Sequence, residues 1–165
     1  MSTPTTAPEL QLLRADHAST LLAFEEANRA YFAATVPDRG DAFFRDFDAL
    51  LGARLAEQAT GDCFFHVLVD GGGAILGRAN LVDVADGSAE LGYRIAEKAA
   101  GQGLATWAVR RIRTLAVTAY GLTALRAATT LDNPGSRAVL TRTGFVPVAD
   151  IRLDGRPGTS YALTL

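Results

Sequence analysis

The stretch Leu91–Arg111, LGYRIAEKAAGQGLATWAVRR, constrains the chain more than any other. It opens as an apolar-rich run, turns through the small residues Ala99–Gly103, and takes up helical periodicity from Leu104. A strand, a glycine turn and a helix start in direct succession leave the first helical amides without intrahelical partners, at the positive end of the helix dipole. Gly101 and Gly103 carry no side chain that would hold an anion away from those amides. Such a turn is either a plain connection or an anion-binding loop, and the rest of the chain has to decide between them.

Residues 1–8 read as a disordered lead-in and residues 9–165 as a single domain. Leu10, Leu12 and Leu13 suggest a first strand, with Asp16 placed to cap the helix after it. In that helix Leu21, Phe24, Ala27, Tyr31 and Phe32 recur at three- to four-residue spacing. Glu25, Glu26 and Arg29 fall on the wet side, and Glu25 to Arg29 makes an i,i+4 pair. A second helix is predicted over 41–58, with Phe43, Phe44, Phe47, Leu50, Leu51 and Leu55 as its apolar stripe.

The texture then changes to strands at 63–69, 74–84 and 89–96, joined by Gly71–Gly73 and by the hairpin signal Asp86–Gly87. In the third of these, Ala89, Leu91, Tyr93 and Ile95 alternate with Glu90, Gly92 and Arg94, so the strand has two different faces. The helix from Leu104 leads into a strand at 125–131, which a strand–helix–strand connection makes parallel to the one at 89–96. A short helix over 134–143 and strands at 145–148 and 160–165, with LDGRPGT as the turn between them, complete the chain. The fold class is α/β (α+β): a mixed, mostly antiparallel sheet flanked by helices, with one parallel crossover. The glycine turn lies at the carboxyl end of a crossover strand, where such sheets hold ligands.

The charge balance of −2 gives no broad basic face for nucleic acid, and no apolar run approaches the roughly 20 residues of a membrane span. Cys63, the single cysteine, cannot form an intramolecular disulfide, and the N-terminus lacks the regions of a signal peptide, so a cytoplasmic protein is expected. His17 and His66 stand apart from any acidic residue at ligand spacing, so no metal is expected. His66 reads as a satisfied, partly buried histidine, His17 as a surface residue, and Cys63, Tyr31 and Phe32 as core.

The element order and three passages resemble the GNAT superfamily of acyl-CoA-dependent N-acetyltransferases, and within it the Rim-type (RimJ/RimL-like) group that acetylates protein N-termini. ELGYRIAEKAAGQGLATWAVR is similar to that family's strand and pyrophosphate loop; LDNPGSRAVLTRTGF resembles its second signature; LRADHASTLLAFEEANRAYF resembles the first strand and helix of the Rim-type group. The resemblance spans about Leu10 to Leu165. It implies acetyl-CoA as co-substrate, with the backbone of Tyr93, Arg94 and Ile95 pairing with the pantetheine arm. It implies a pyrophosphate held by the amides of Ala99, Ala100, Gly101, Gln102, Gly103, Leu104 and Ala105. Where the family often carries Arg or Arg and Gln before the first glycine, Lys98, Ala99 and Ala100 stand here.

Asn133 and Ser136 fit an N-cap and the first turn of the short helix. The resemblance adds that Asn133 bonds the pantetheine or nearby backbone, and that Ser136 sits by the CoA sulfur as proton donor or thiolate partner. Amine acetylation also needs a neutral amine, for which Glu90 is the first candidate base, ahead of Asp83 and Glu26. In the Rim-type group the early helix borders the acceptor groove, which makes Arg29 and Tyr31 candidate acceptor contacts. Arg137 and Arg142 are candidates for the adenosine phosphate or plain surface residues. The expected reaction is direct acetyl transfer to a primary amine, by a monomer or homodimer without nucleic-acid or membrane partners. A protein N-terminus, a small amine such as an antibiotic or polyamine, and a non-catalytic acyl-CoA-binding module remain the alternatives.

Overall fold

A computed structural model describes residues 7–165, so most of the expected lead-in lies outside the described residues. The elements run β1 (Glu9–Leu12), α1 (Ala18–Ala27), α2 (Arg29–Ala33), α3 (Asp41–Arg45), α4 (Phe47–Ala59), β2 (Phe64–Val69), β3 (Ile75–Ala85) and β4 (Ser88–Ile95). There follow α5 (Leu104–Thr118), β5 (Ala124–Thr130), α6 (Pro134–Arg142), β6 (Val146–Leu153) and β7 (Arg156–Thr164). The seven strands form one sheet in the order β1-β2-β3-β4-β5-β7-β6. Every neighbouring pair is antiparallel except β4 and β5.

Two apolar layers cover the two faces of this sheet. Ala89 and Leu91 of β4, with Leu125 and Ala127 of β5, pack against Ala108, Val109, Ile112 and Ala116 of α5 and Leu140 of α6. On the other face Phe65 and Val67 of β2 meet Leu21 and Phe24 of α1, Phe32 of α2 and Phe47 and Leu51 of α4. The hairpin between β3 and β4 turns at Asp86 and Gly87, with φ 53° and 76°, the pair of left-handed residues that matches strand twist.

The parallel pairing of β4 with β5 covers only Ser88–Glu90 against Ala124–Arg126. Beyond Glu90 β4 stays bonded to β3 through Leu91–Ile95, and β5 stays bonded to β7 through Thr130. The two strands therefore part, and their facing edges open into a wedge with unpaired backbone groups.

Several expectations are corrected. The early helix breaks at Asn28 and the second at Asp46. At Asn28 the side-chain amide donates to Phe24 O at 2.9 Å while its Oδ1 accepts from Glu97 N at 3.0 Å, a tertiary bond that outweighs helix continuity. Asp16 pairs with the Arg14 side chain, and the helix start is instead fastened by the His17 ring accepting from Arg14 N at 3.0 Å. His17 is buried rather than on the surface, its other ring nitrogen 2.9 Å from Gln11 Oε1. Tyr31 is exposed rather than core. β6 and β7 are longer than expected, because LDGRPGT supplies only the tight turn at Asp154–Gly155 between them.

Glu25 differs most from expectation. It is 1% exposed rather than wet, and its partners are Arg78 at 2.7 Å, Arg39 at 3.2 Å and Arg94 at 3.4 Å rather than Arg29. Arg29 instead holds both Asp38 and Asp41.

Candidate functional site

The wedge between β4 and β5 opens into two adjoining cavities of about 590 and 600 Å³. Both are bordered by Thr35, Val36, Tyr93, Arg94, Asn133 and Ser136, so these residues mark the place where one cavity passes into the other.

The first cavity extends along Ala127–Thr130 of β5 to the β6–β7 hairpin at Leu153, Asp154 and Arg156, with the segment Ala33–Pro37 as its far wall. Arg156 fastens that wall by donating to Thr35 O at 3.2 Å while pairing with Asp132.

The second cavity runs to the glycine turn. Gly101 and Gly103 have φ 75° and 77°, and a Cβ at either would meet nothing within 4 Å of the protein itself. Glycine is thus required by backbone conformation and leaves open approach to the loop. The first bond of α5 is Trp107 N to Gly103 O at 3.0 Å, so the amides of Leu104, Ala105 and Thr106 have no intrahelical acceptor. Leu104, Ala105 and Thr106 all border this cavity. An open turn of this kind, free amides at a 15-residue helix start, and Arg142 on the opposite rim fit a diphosphate. Gln102 and Lys98 do not line it, and the one cationic side chain at this end of the cavity is that of Arg142 on α6.

At the junction, Tyr93 and Ser136 bring their hydroxyls within 2.9 Å, and Tyr93 also lies 3.3 Å from Ser136 O. Burial holds the Tyr93 phenol above its ordinary range, and the Ser136 bond opposes this in part. Asn133 is the N-cap of α6, its Oδ1 accepting from Ser136 N at 3.2 Å. Capping therefore fixes Ser136 in place, and the Asn133 side-chain amide remains beside both cavities.

The other sequence candidates scatter. Glu90 sits on the sheet face opposite Tyr93 and lines neither cavity. Arg29 also lines neither; it is stacked 4.3 Å over the Phe44 ring and tied to its aspartates. Tyr31 borders the glycine-turn cavity, not the one along β5. Sequence reading missed Asp154, the one carboxylate among the residues lining the first cavity, and the Arg94 side chain, which lies 4.5 Å over the Phe32 ring. The alternation of β4 already put Arg94 and Glu90 on one face, but nothing local pointed to a buried glutamate beneath it.

His66 is 1% exposed and bonded to Ala79 O at 3.1 Å and Tyr120 Oη at 2.6 Å, as expected of a satisfied core histidine. Among the described residues no group of His, Cys, Asp and Glu could hold a metal ion, and no helix is long and apolar enough to cross a membrane.

The sequence matches the model of the acetyltransferase (GNAT) domain over residues 9–146. No curated protein matches significantly. Among solved structures, a ribosomal-protein-S5-alanine acetyltransferase from Vibrio fischeri is similar with a TM-score of 0.90 and 21% identity, over 99% of this chain and 96% of that one. RimJ from Mycobacterium smegmatis, in complex with CoA-disulfide, aligns with a TM-score of 0.85 and 23% identity, over 98% and 86%. A spermidine N-acetyltransferase variant from Vibrio cholerae aligns with a TM-score of 0.77 and 16% identity, over 94% of each. With a family match over most of its length, the chain belongs to the acetyltransferase (GNAT) family of acyl-CoA-dependent N-acetyltransferases.

Proposed function

We propose that this enzyme transfers an acetyl group from acetyl-CoA to a primary amine, and that the amine is an α-amine of the kind found at a protein N-terminus. The observation that carries the reading is the meeting of two cavities at Tyr93, Asn133 and Ser136, between strands that have come apart. One cavity suits the donor and the other the acceptor.

The parted edge of Tyr93–Ile95 offers backbone bonds to the two amides of a pantetheine arm. The turn Ala99–Ala105 takes the pyrophosphate, with Gly101 and Gly103 at the centre of the open face. Acetyl-CoA, once bound, supplies the thioester carbonyl that a neutral amine attacks. Holding both partners at the junction accounts for much of the acceleration, since well-placed pairs reach effective molarities of about 10⁵ M or more.

Ser136 Oγ passes a proton to the sulfur as the carbon–sulfur bond breaks and takes one from Tyr93 Oη in the same relay, and the water that accepts the amine's proton returns one to Tyr93, so neither hydroxyl is left ionised. Tyr93, kept protonated by burial, donates to Ser136 Oγ and so leaves the serine hydrogen free to face the cleft. The proton lost by the amine passes to water. An α-amine has a pKa near 8 and is partly neutral at working pH, so it needs no strong base, whereas a lysine near 10.4 does. With Glu90 on the other face, the α-amine is the better match. A polycation fits less well, because the first cavity is lined by Arg94 and Arg156 against Asp154 alone.

The test is release of free thiol from acetyl-CoA over peptides with free N-termini, the same peptides N-acetylated but carrying lysine, and spermidine. Turnover confined to free N-termini supports the reading. Turnover on spermidine or lysine alone refutes the α-amine acceptor.

A further inference from the structure

The geometry points to an acceptor that carries a carboxylate beside its amine, which Arg94 receives. This rests on acetyl transfer to an amine at the same junction and adds the class of amine.

Glu25 is the one carboxylate hydrogen-bonded to Arg39, Arg78 and Arg94, which leaves the group with more positive than negative charge. Asp38 and Asp41 of the neighbouring segment are both taken by Arg29. Arg78, with its side chain 9% exposed, is wholly interior and cannot meet a ligand. Arg94 can: its side chain is 22% exposed and it borders both cavities.

A guanidinium has five N–H donors. Arg94 makes one hydrogen bond, from Nη1 to Glu25, and its remaining nitrogens are not among the buried atoms without partners. They therefore reach solvent beside the cleft. Glu25 below and the Phe32 ring 4.5 Å away hold the guanidinium as a fixed fork rather than a loose cation. A planar fork with free donors in a surplus of positive charge is a carboxylate site. Burial and the neighbouring Arg39 bring Arg94 down to about 10 in spite of Glu25, as expected where the positive charge lacks full compensation.

Asp154 complements this from another wall of the first cavity. A carboxylate on one side and an arginine on the other match a molecule that has an amine at one end and an acid close to it. A peptide with Asp or Glu after its N-terminal residue and a free amino acid both present that chemistry.

The test compares kcat/KM within one enzyme, so that a smaller folded fraction cancels. Peptide pairs differ only in Glu against Gln at the second position, and free amino acids are paired with their amides. The native enzyme is expected to favour the acidic member by at least about tenfold, the size of one charge-assisted hydrogen bond. In Arg94→Gln the ratio falls to about one, and in Arg94→Lys part of it returns. A larger effect on peptides than on amino acids assigns the carboxylate to a side chain, and the reverse assigns it to the α-carboxylate. Equal rates on acidic and neutral amines overturn the inference while leaving acetyl transfer intact. A ratio that survives Arg94→Gln overturns it as well, even if the KM for acetyl-CoA rises. Failure to acetylate any amine overturns both.

Discussion

Tyr93 Oη and Ser136 Oγ lie 2.9 Å apart, joining β4 to the first turn of α6 across the mouth of the parted strands. This contact links the strand between the two cavities to the hydroxyl that we propose protonates the departing sulfur. If Tyr93 orients that hydroxyl, Tyr93→Phe lowers kcat by about tenfold, the worth of one hydrogen bond, and leaves the Kd for acetyl-CoA within about twofold. Stopped-flow turnover beside calorimetric binding reads the two. Equal losses in both would make Tyr93 a packing residue.

Gly103 has φ 77° and starts α5 beside the second cavity. Gly103→Val forces a branched side chain into a left-handed backbone and onto the path to the amides of Leu104–Thr106, so acetyl-CoA binding is expected to weaken by at least about 100-fold. Micromolar binding retained in titration would show that the loop holds no phosphate.

Asn28 fixes where the loop begins, because Oδ1 accepts from Glu97 N at 3.0 Å and the residue is buried. Asn28→Ala removes that acceptor from the part-buried Glu97 N–H, which costs about 1 kcal/mol. The account expects a lower urea midpoint and a higher KM for acetyl-CoA in this variant, with little change in the acceptor KM. A change in the acceptor term alone would disconnect Asn28 from the loop.

Two buried groups set separate limits on stability at low pH. Burial lowers His66 to about 4, so folding resists its protonation. Its contribution is complete above the ordinary histidine value near 6.5 and is lost as pH falls to about 4, on the order of 3 kcal/mol. For Glu25, burial pushes the carboxyl up but Arg78, Arg39 and Arg94 outweigh it, and the net value lies below the ordinary range. That contribution is present above the usual glutamate value and is lost as pH falls through the lower folded one. Urea midpoints against pH should therefore decline first through the histidine window, and His66→Gln should flatten only that part. Removing the carboxylate in Glu25→Ala strands the buried Arg78 and is expected to cost about 3–5 kcal/mol at neutral pH.

Much of the frame was legible because it is written in local pattern. The alternation of Ala89–Ile95, the Asp86–Gly87 turn and the strand–glycine–helix succession each dictate a conformation on their own. The spacing of Asn133 and Ser136 likewise announced a cap before any fold was known.

What escaped depends on partners far along the chain. Glu25 bonds Arg78 and Arg94 at separations of 53 and 69 residues, and in its own helix it sits beside Glu26, which is exposed, so periodicity assigned both to water. The break at Asn28 likewise serves a bond to Glu97, again 69 residues away. Residues 146–150 of β6 are all exposed at the sheet edge, so they show none of the alternation that marks a half-buried strand, and the length of that hairpin stayed hidden. The alternation of β4 already sets Glu90 on the face opposite Tyr93; what it leaves open is that neither cavity reaches that carboxylate.

If the parted strands hold the donor, Ser136 meets its sulfur. Ser136→Ala tests it most directly, measured as thiol release under saturating acceptor together with acetyl-CoA affinity by titration. Turnover is expected to fall by about 100-fold, the scale of one proton donor, with affinity within about twofold. Unchanged turnover in a folded Ser136→Ala enzyme would reduce this serine to a helix-cap neighbour and contradict the account.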